Sequence, residues 1–513
     1  MPYVSLRNLG LAGLIKDRPT YDLEENAFNE VSNVRFFNGT AQKSSIPVER
    51  FSINADSVWM EVYLELGVPK YVYATVDELY EINPGTGVSD NVSRTVGGAY
   101  TSTTGWQSMV WSESSIFNNG VDVPQIFEPS DSDFKDLTNW PANLQCQVMR
   151  PFKNFLFALN ITTAGVNNPT AYRWSNESET GAIPNTWVPD TDNLSGGNIL
   201  TAEDGEIIDG LELGDVLILY TRQSAHEISF IGGTFVMGQR KFTDNGLVNR
   251  NAVCAFDHYH FCVSNWSIYT HDGHTVKHIA DQRVRDFLFE STTNTDSIRC
   301  VHLASTKECV IYFESSGSGN GEATKAIIWC YRYDTWTLID LPGVNCIVNA
   351  ADSPISLTYD DYDVSGVTYN QETKTYSQLL NVSITTATYF LTTATDTIDD
   401  FDTQFGAGLS FKVERTGLDF DQLLQTPTNS IKFISELLPQ ITGSGDVDIT
   451  LGFSSSPEGA VTWGDPSTYT IGTDYKADFR NSGRYPAWRF EGSGEGNFQL
   501  SGMDFNVVID GER

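Results

Sequence analysis

The chain has 513 residues, with 32 Lys and Arg against 66 Asp and Glu and a net charge of −34. That balance excludes a protein that grips nucleic acid over its whole surface, because such binders neutralise phosphates with clustered basic side chains, and it disfavours docking to an anionic membrane. Hydrophobic residues at 40% and aromatics at 12% exclude a disordered chain and, at this length, predict two or more cores.

Residues 1–54 read as an N-terminal segment. Its start, MPYVSLRNLGLAGLIKDRP, has no basic stretch followed by an apolar h-region, and no run approaches membrane-spanning length, so no membrane insertion is expected. One short helix is predicted. Asp22 caps it, Glu25 stands three residues on, and Leu23, Ala27, Phe28 and Val31 share a face. The segment turns at Asn38-Gly39.

Over residues 55–380 short strands alternate with polar turns. An apolar strand, a turn and a second strand holding an aromatic recur at YVYATVDELYEINPGTG (71–87), SMVWSESSIFNN (108–119), FLFALNI (155–161) with YRWSN (172–176), VLILYTRQSAHEISFIGG (216–233), YHFCVSNWSIYTHDGH (259–274), and CVIYFES (309–315) with IIWCYRYDTWTLID (327–340). The spacing is roughly 40–60 residues, near the length of a four-stranded propeller blade. Each hairpin has one apolar face, and a lone blade cannot bury both of its faces, so blades must stack in a closed circle. The expected fold is therefore all-β: a β-propeller of about six blades. SLTYDDYDVSGVTYN (356–370) is a candidate for a seventh. A pair of β-sandwiches without circular order is the alternative. Residues 381–513, rich in Thr and Asp at first and then in strands such as LSFKVERT, IKFISELLPQI and YPAWRFEG, read as a C-terminal β-rich domain or a layer that closes the ring.

The seven cysteines, Cys146, Cys254, Cys262, Cys300, Cys309, Cys330 and Cys346, are odd in number, contain no C-x-x-C pair and mostly sit in apolar runs. They read as buried free thiols of a protein folded in a reducing cytoplasm. Five of the seven histidines, His258, His260, His271, His274 and His278, lie close together. His271 and His274 flank a hairpin turn at Asp272-Gly273, and their side chains could converge. H-x-x-H on a turn is nevertheless no zinc signature and lacks a Cys or Glu at standard spacing, so exposed turn histidines and no metal are expected. Acidic clusters at Asp131, Asp133 and Asp136, at Asp360, Asp361 and Asp363, and at Asp399, Asp400 and Asp402 lack the oxygen spacing of a calcium loop and read as solvated loops. SSSPEGAVTWGDP (454–466) departs from the Asp-box turn of sialidase-like propellers, because Glu458 abuts Gly459 and Trp463 follows four residues later. No G-x-S-x-G, P-loop or H-E-x-x-H occurs, and the glycines of ISFIGGTFVMG follow no βαβ pattern. Neither catalytic residues nor a cofactor are expected.

The opening, GLAGLIKDRPTYDLEENAFNEVSNVRFFNGTAQKS, resembles the start of the tail nozzle proteins of short-tailed bacteriophages, also called packaged-DNA stabilisation proteins. The likeness rests on Leu23, Asn26, Ala27 and Phe28, then Asn33, Val34, Arg35 and Phe36, then Gly39. The family usually continues with a basic residue and Pro-Gly; here Lys43 is followed by SSIP. GLELGDVLILYTRQSAHEISFIGG, the following NRNAVCAFDHYHF region, WCYRYDTWTLIDLP and the closing FQLSGMDFNVVIDGER are also similar to the family. The resemblance implies a structural virion protein assembled as a homo-oligomeric ring, a hexamer, below the portal and adaptor. It implies contacts with tailspikes or tail fibres, and double-stranded DNA that passes through the lumen without specific binding. Such a protein is assembled in the host cytoplasm and resides in the virion tail. The acidic balance agrees with that role, since like charges keep a passing duplex off the wall. The rival reading is a glycan-binding or glycan-cleaving β-propeller using Trp and Tyr as platforms and paired carboxylates as acid and base.

Overall fold

The computed structural model describes residues 3–511 except 46, 66–67, 102–104, 130, 234, 293, 320, 353–384, 394, 402–409, 427–429 and 494–495. The chain is all-β. Among the described residues its α-helices are Arg285–Ser291 and the single turn Asp421–Leu424. The stretch 356–370, proposed above as a seventh repeat, lies outside the described residues.

Five four-stranded antiparallel sheets follow one another along the chain, each with its strands in sequence order. They begin at Trp59–Glu65, Gln107–Trp111, Leu144–Phe152, Ile207–Leu213 and Val253–Phe256. The sixth repeat supplies Arg299–Leu303, Glu308–Phe313, Ala323–Cys330 and Thr335–Asp352 to a seven-stranded sheet, which continues through Thr385–Thr392 and Thr397–Phe401 to Pro47–Ser52. The local cause of the repeat is the two-residue hairpin between first and second strands. Trp111 pairs with Ser114, Phe152 with Phe155, Leu213 with Val216 and Phe256 with Tyr259. The first turn residue in each, Ser112, Lys153, Gly214 or Asp257, has a positive φ, as the right-handed twist of a tight hairpin demands.

Second strands are covered on both faces, and this explains their unbroken apolar runs. Phe155–Ile161 is buried throughout, whereas the outermost strand of the next sheet, Met237–Thr243, has no buried residue. Apolar clusters fill the space between successive sheets. Met109 and Trp111 meet Met149 and Leu156; Phe157 and Tyr172 meet Leu217 and Leu219; Ile218 and Tyr220 meet Cys262 and Tyr269. Phe261 then meets Trp329 of the seven-stranded sheet, and Tyr389 of that sheet returns to Tyr71 of the first. Tyr71 in turn shares a cluster with Phe117 of the second sheet.

The two ends of the chain pair with each other and share one core cluster with the fifth sheet and the sixth repeat. Tyr3–Arg7 pairs with Gly502–Asn506, Val34–Phe37 and Thr40–Lys43 join the same six-stranded sheet, and Glu30–Ser32 pairs with Glu414–Lys412 in another. The N-terminal segment is thus paired into the C-terminal sheets. It also lacks the predicted amphipathic helix. Thr20–Asp22 is a single 3-10 turn without a side-chain cap, and Ala27–Phe28 is a short strand parallel to Gly13–Leu14. Leu23, Ala27, Phe28 and Val31 are all buried, so the apolar positions were legible and their period was not. The competing structure wins because Arg415 reaches in to fix the turn: its guanidinium donates to the Thr20 carbonyl at 2.6 Å and the Leu23 carbonyl at 3.0 Å.

Candidate functional site

The first strands of five of the six repeats, with the residues just before the first strand of the fifth sheet, bring polar side chains to a common cluster. Each strand is largely apolar and carries a charged or amide residue on its inward side: Glu61, Gln107 with Ser108, Arg150, Asp209 and Arg299. Arg250 and Asn251 stand just before the fifth sheet. Arg150 Nε and Nη2 donate to the two Asp209 oxygens at 2.9 and 3.0 Å, and Nη2 also reaches Asn251 Oδ1 at 3.3 Å. Asp209, fully buried, further accepts from the Asn251 and Gly210 amides at 3.0 and 2.7 Å. The left-handed backbone of Asn251, φ 59°, turns its amide toward that carboxylate. Its carbonyl accepts from Cys300 N at 2.7 Å and so ties the fifth sheet to the sixth repeat.

On the other side, Ser108 Oγ donates to Glu61 at 2.6 Å and accepts from Trp59 Nε1 at 2.7 Å. The Gln107 amide, with its oxygen turned toward Arg150, accepts from both terminal nitrogens. Burial pushes the Glu61 carboxyl above its usual range, against the pull of Ser108, the Val62 amide and Arg150. Burial also lowers Arg250, with Arg299 and Arg150 adding repulsion while Asp209 and Asp296 oppose it. Chemically this arrangement supplies charge pairing: both inner carboxylates are already occupied by donors, which compensates the cost of burying them. Sequence reading missed the cluster. Its signal was a charged or amide residue inside the largely apolar first strand of most repeats, such as Arg150 in LQCQVMRPF and Asp209 in IIDGLEL.

The histidines divide between two environments. His258, His274 and His278 are exposed, but His260 and His271 are buried, which corrects the expectation of exposed turn histidines. The two are cross-strand partners, with ring planes on either side of the Tyr220 hydroxyl. His260 Nε2 faces the Glu212 carbonyl at 3.0 Å and must donate to it, so its Nδ1 accepts from Tyr220 at 2.7 Å. His271 Nδ1 accepts from Gly273 N at 3.2 Å, so its Nε2 donates to Tyr220 at 2.5 Å. Both rings are thus neutral with the proton on Nε2, as assigned from the hydrogen bonds. Burial lowers His260 to about 4 and, aided by His260, lowers His271 to about 3. His271 points inward and His274 outward, so the two do not converge. Among the described residues no group of three or more His, Cys, Asp or Glu could hold a metal ion.

Ser224, His226 and Asp204 lie together, but Ser224 Oγ and Asp204 Oδ2 both approach the same nitrogen, His226 Nε2, at 3.0 and 3.2 Å. Among the described residues His226 Nδ1 has no hydrogen-bond partner, although it is buried. A nucleophile relay needs the two ring nitrogens to serve different groups, so this trio fastens one sheet. Asp136 binds Gln125 at 2.7 Å and Arg94 at 3.3 Å, Asp131 binds Lys135 at 3.0 Å, and buried Asp399 accepts from Thr392 at 2.8 Å. These residues are anchored rather than simply solvated. Asp133 accepts from its neighbour Ser132 at 2.9 Å. Asp360, Asp361, Asp363, Asp402 and the side chain of Asp400 lie outside the described residues. Glu458 accepts from Thr20 N at 2.8 Å and clips the 454–466 turn to the N-terminal segment, while Trp463 lies 4.1 Å beneath the Arg489 guanidinium. All seven cysteines are free and buried. Among the described residues no helix is long and apolar enough to cross a membrane.

Compared with known proteins, the chain matches no family model and no curated sequence.

Proposed function

We propose that this chain is the ring-forming nozzle of a short-tailed phage virion, its six repeats acting as the blades of a β-propeller and its copies surrounding a conduit for DNA. The observation that carries the reading is the packing path that returns from Tyr389 to Tyr71 around a cluster filled by Glu61, Arg150 and Asp209. A centre filled in this way leaves no lumen within one copy, so the conduit lies between copies. Six copies in a closed ring require a heterologous interface, two different patches meeting around the axis. A net charge of −34 suits a wall that repels a polyanion, and channel-facing loops are expected to be rich in Asp and Glu. The sheets woven from both chain ends offer a second surface for the portal–adaptor ring or for tailspikes and fibres.

Electron microscopy of the purified protein, alone and with portal–adaptor complexes, tests this. Closed rings with a pore wide enough for a duplex are expected. A persistent monomer that cleaves polysaccharide would overturn the proposal in favour of the glycan-directed reading.

A further inference from the structure

Arg250 and Arg299 are neighbours across the junction of the fifth sheet and the sixth repeat, because the residues that follow them are joined by the bond from Cys300 N to Asn251 O at 2.7 Å. Both are partly buried. A guanidinium carries five donors, yet among the described residues Arg250 donates only to the Gln147 carbonyl at 3.2 Å and Arg299 only to the Asn345 carbonyl at 2.6 Å. Neither forms an ion pair among those residues, in a chain with 66 acidic side chains. Arg415, by contrast, spends its donors on three carbonyls, those of Thr20, Thr416 and Leu23.

The nearby carboxylates do not supply the missing partners. Asp209 is taken by Arg150 and two amides, Glu61 by Ser108, and Asp296 stands exposed on the rim. The Arg299 charge works against that of Arg250, an anion between the two relieves that repulsion, and planar forks of donors match a tetrahedral oxyanion in geometry as well as charge.

We propose that Arg250 and Arg299 form a binding site for a free oxyanion of the phosphate class, on the open side of the cluster where the first strands meet. The bound ion would stitch the fifth sheet to the sixth repeat. The inference does not depend on the nozzle reading, since it concerns one copy of the chain.

Titration of the full-length chain with inorganic phosphate, followed by calorimetry, tests it. Saturable binding of one ion is expected, weakened about tenfold or more in R250Q and in R299Q and unchanged in K277Q, which alters an exposed lysine. Should a variant fail to fold, the wild-type chain still decides: phosphate should protect Arg250 and Arg299 from an arginine-directed dicarbonyl, read by mass spectrometry. No saturable binding, equal binding by R250Q and R299Q, or equal labelling with and without phosphate would overturn the site. Competition by a dinucleotide phosphodiester would overturn its assignment to a free ion.

Discussion

Arg150 and Asp209 face each other across two successive sheets and meet through two parallel hydrogen bonds of 2.9 and 3.0 Å. One belongs to Leu144–Phe152 and the other to Ile207–Leu213, so the pair locks neighbouring repeats at the depth where their first strands converge.

Removing one partner leaves the other charged and dehydrated. Arg150→Met is therefore expected to cost about 3–5 kcal/mol, as for other broken buried pairs. Arg240→Ala, which removes the exposed partner of Glu227, should cost about 0–1 kcal/mol. Urea denaturation of both variants checks the contrast; equal losses would show that the cluster does not hold the repeats together.

The Tyr220–His260–His271 chain predicts acid sensitivity. The folded values, about 4 and about 3, lie below the ordinary histidine value near 6.5. Above that value both states are neutral and nothing is gained or lost. As pH falls below it, the unfolded chain takes up protons that the folded chain refuses, so stability declines until the folded values are reached. Each ring contributes a slope of about 1.4 kcal/mol per pH unit over that window. Asp272 opposes the shift at His271, and Tyr220, Tyr269 and Phe242 surround that ring. Melting temperature measured from pH 7 to pH 4 should fall more steeply in the wild type than in H271Q; identical slopes would remove the histidines from the account.

The thiols should be silent in the folded protein. Burial pushes Cys346 up to about 12 and raises Cys146 and Cys262 well above the usual thiol range, and a thiol without its thiolate form is a poor nucleophile. Iodoacetamide at neutral pH should add no label to the native chain and seven in denaturant, counted by intact mass. Rapid native labelling would contradict the burial.

Arg415 sets a fourth test. It holds the carbonyls of Thr20 and Leu23, and its own ionisation is lowered to about 10 by burial. Arg415→Met should free the turn at Thr20–Asp22 and expose Lys16 to trypsin, with cleavage there at least about tenfold faster than in the wild type. An unchanged digest would mean that Glu458 and the strand pairings suffice.

The strand pattern was readable because its cause is local. In YVYATVDELYEINPGTG short apolar runs broken by polar turn residues mark strands wherever they later pack, and Val68–Ala74 and Leu79–Ile82 are strands there. The segment Leu23–Val31 misled because the same four apolar positions satisfy a helical face and a pair of short strands alike. What decided between them, the reach of Arg415 and the pairing of Ala27–Phe28 with Gly13–Leu14, comes from residues distant in sequence. The polar cluster was hidden for a related reason. A charged residue on a strand looks solvent-facing unless its inward direction is known, and for Arg150 or Asp209 only the neighbouring sheet reveals it. His260 and His271 were misjudged in the same way, since their alternation with Phe261 and Thr270 does not say which face is covered.

The pairing of Tyr3–Arg7 with Gly502–Asn506 also sets a timetable. Tyr3–Arg7 leaves the ribosome long before Gly502–Asn506, so the sheet they share cannot form until that later strand has emerged. Long-range pairings of this kind form slowly, whereas the hairpins of the repeats can fold as they emerge. Until then, Val4 and Leu6, buried in the folded protein, remain on an unpaired edge that chaperones or neighbouring nascent chains can meet first.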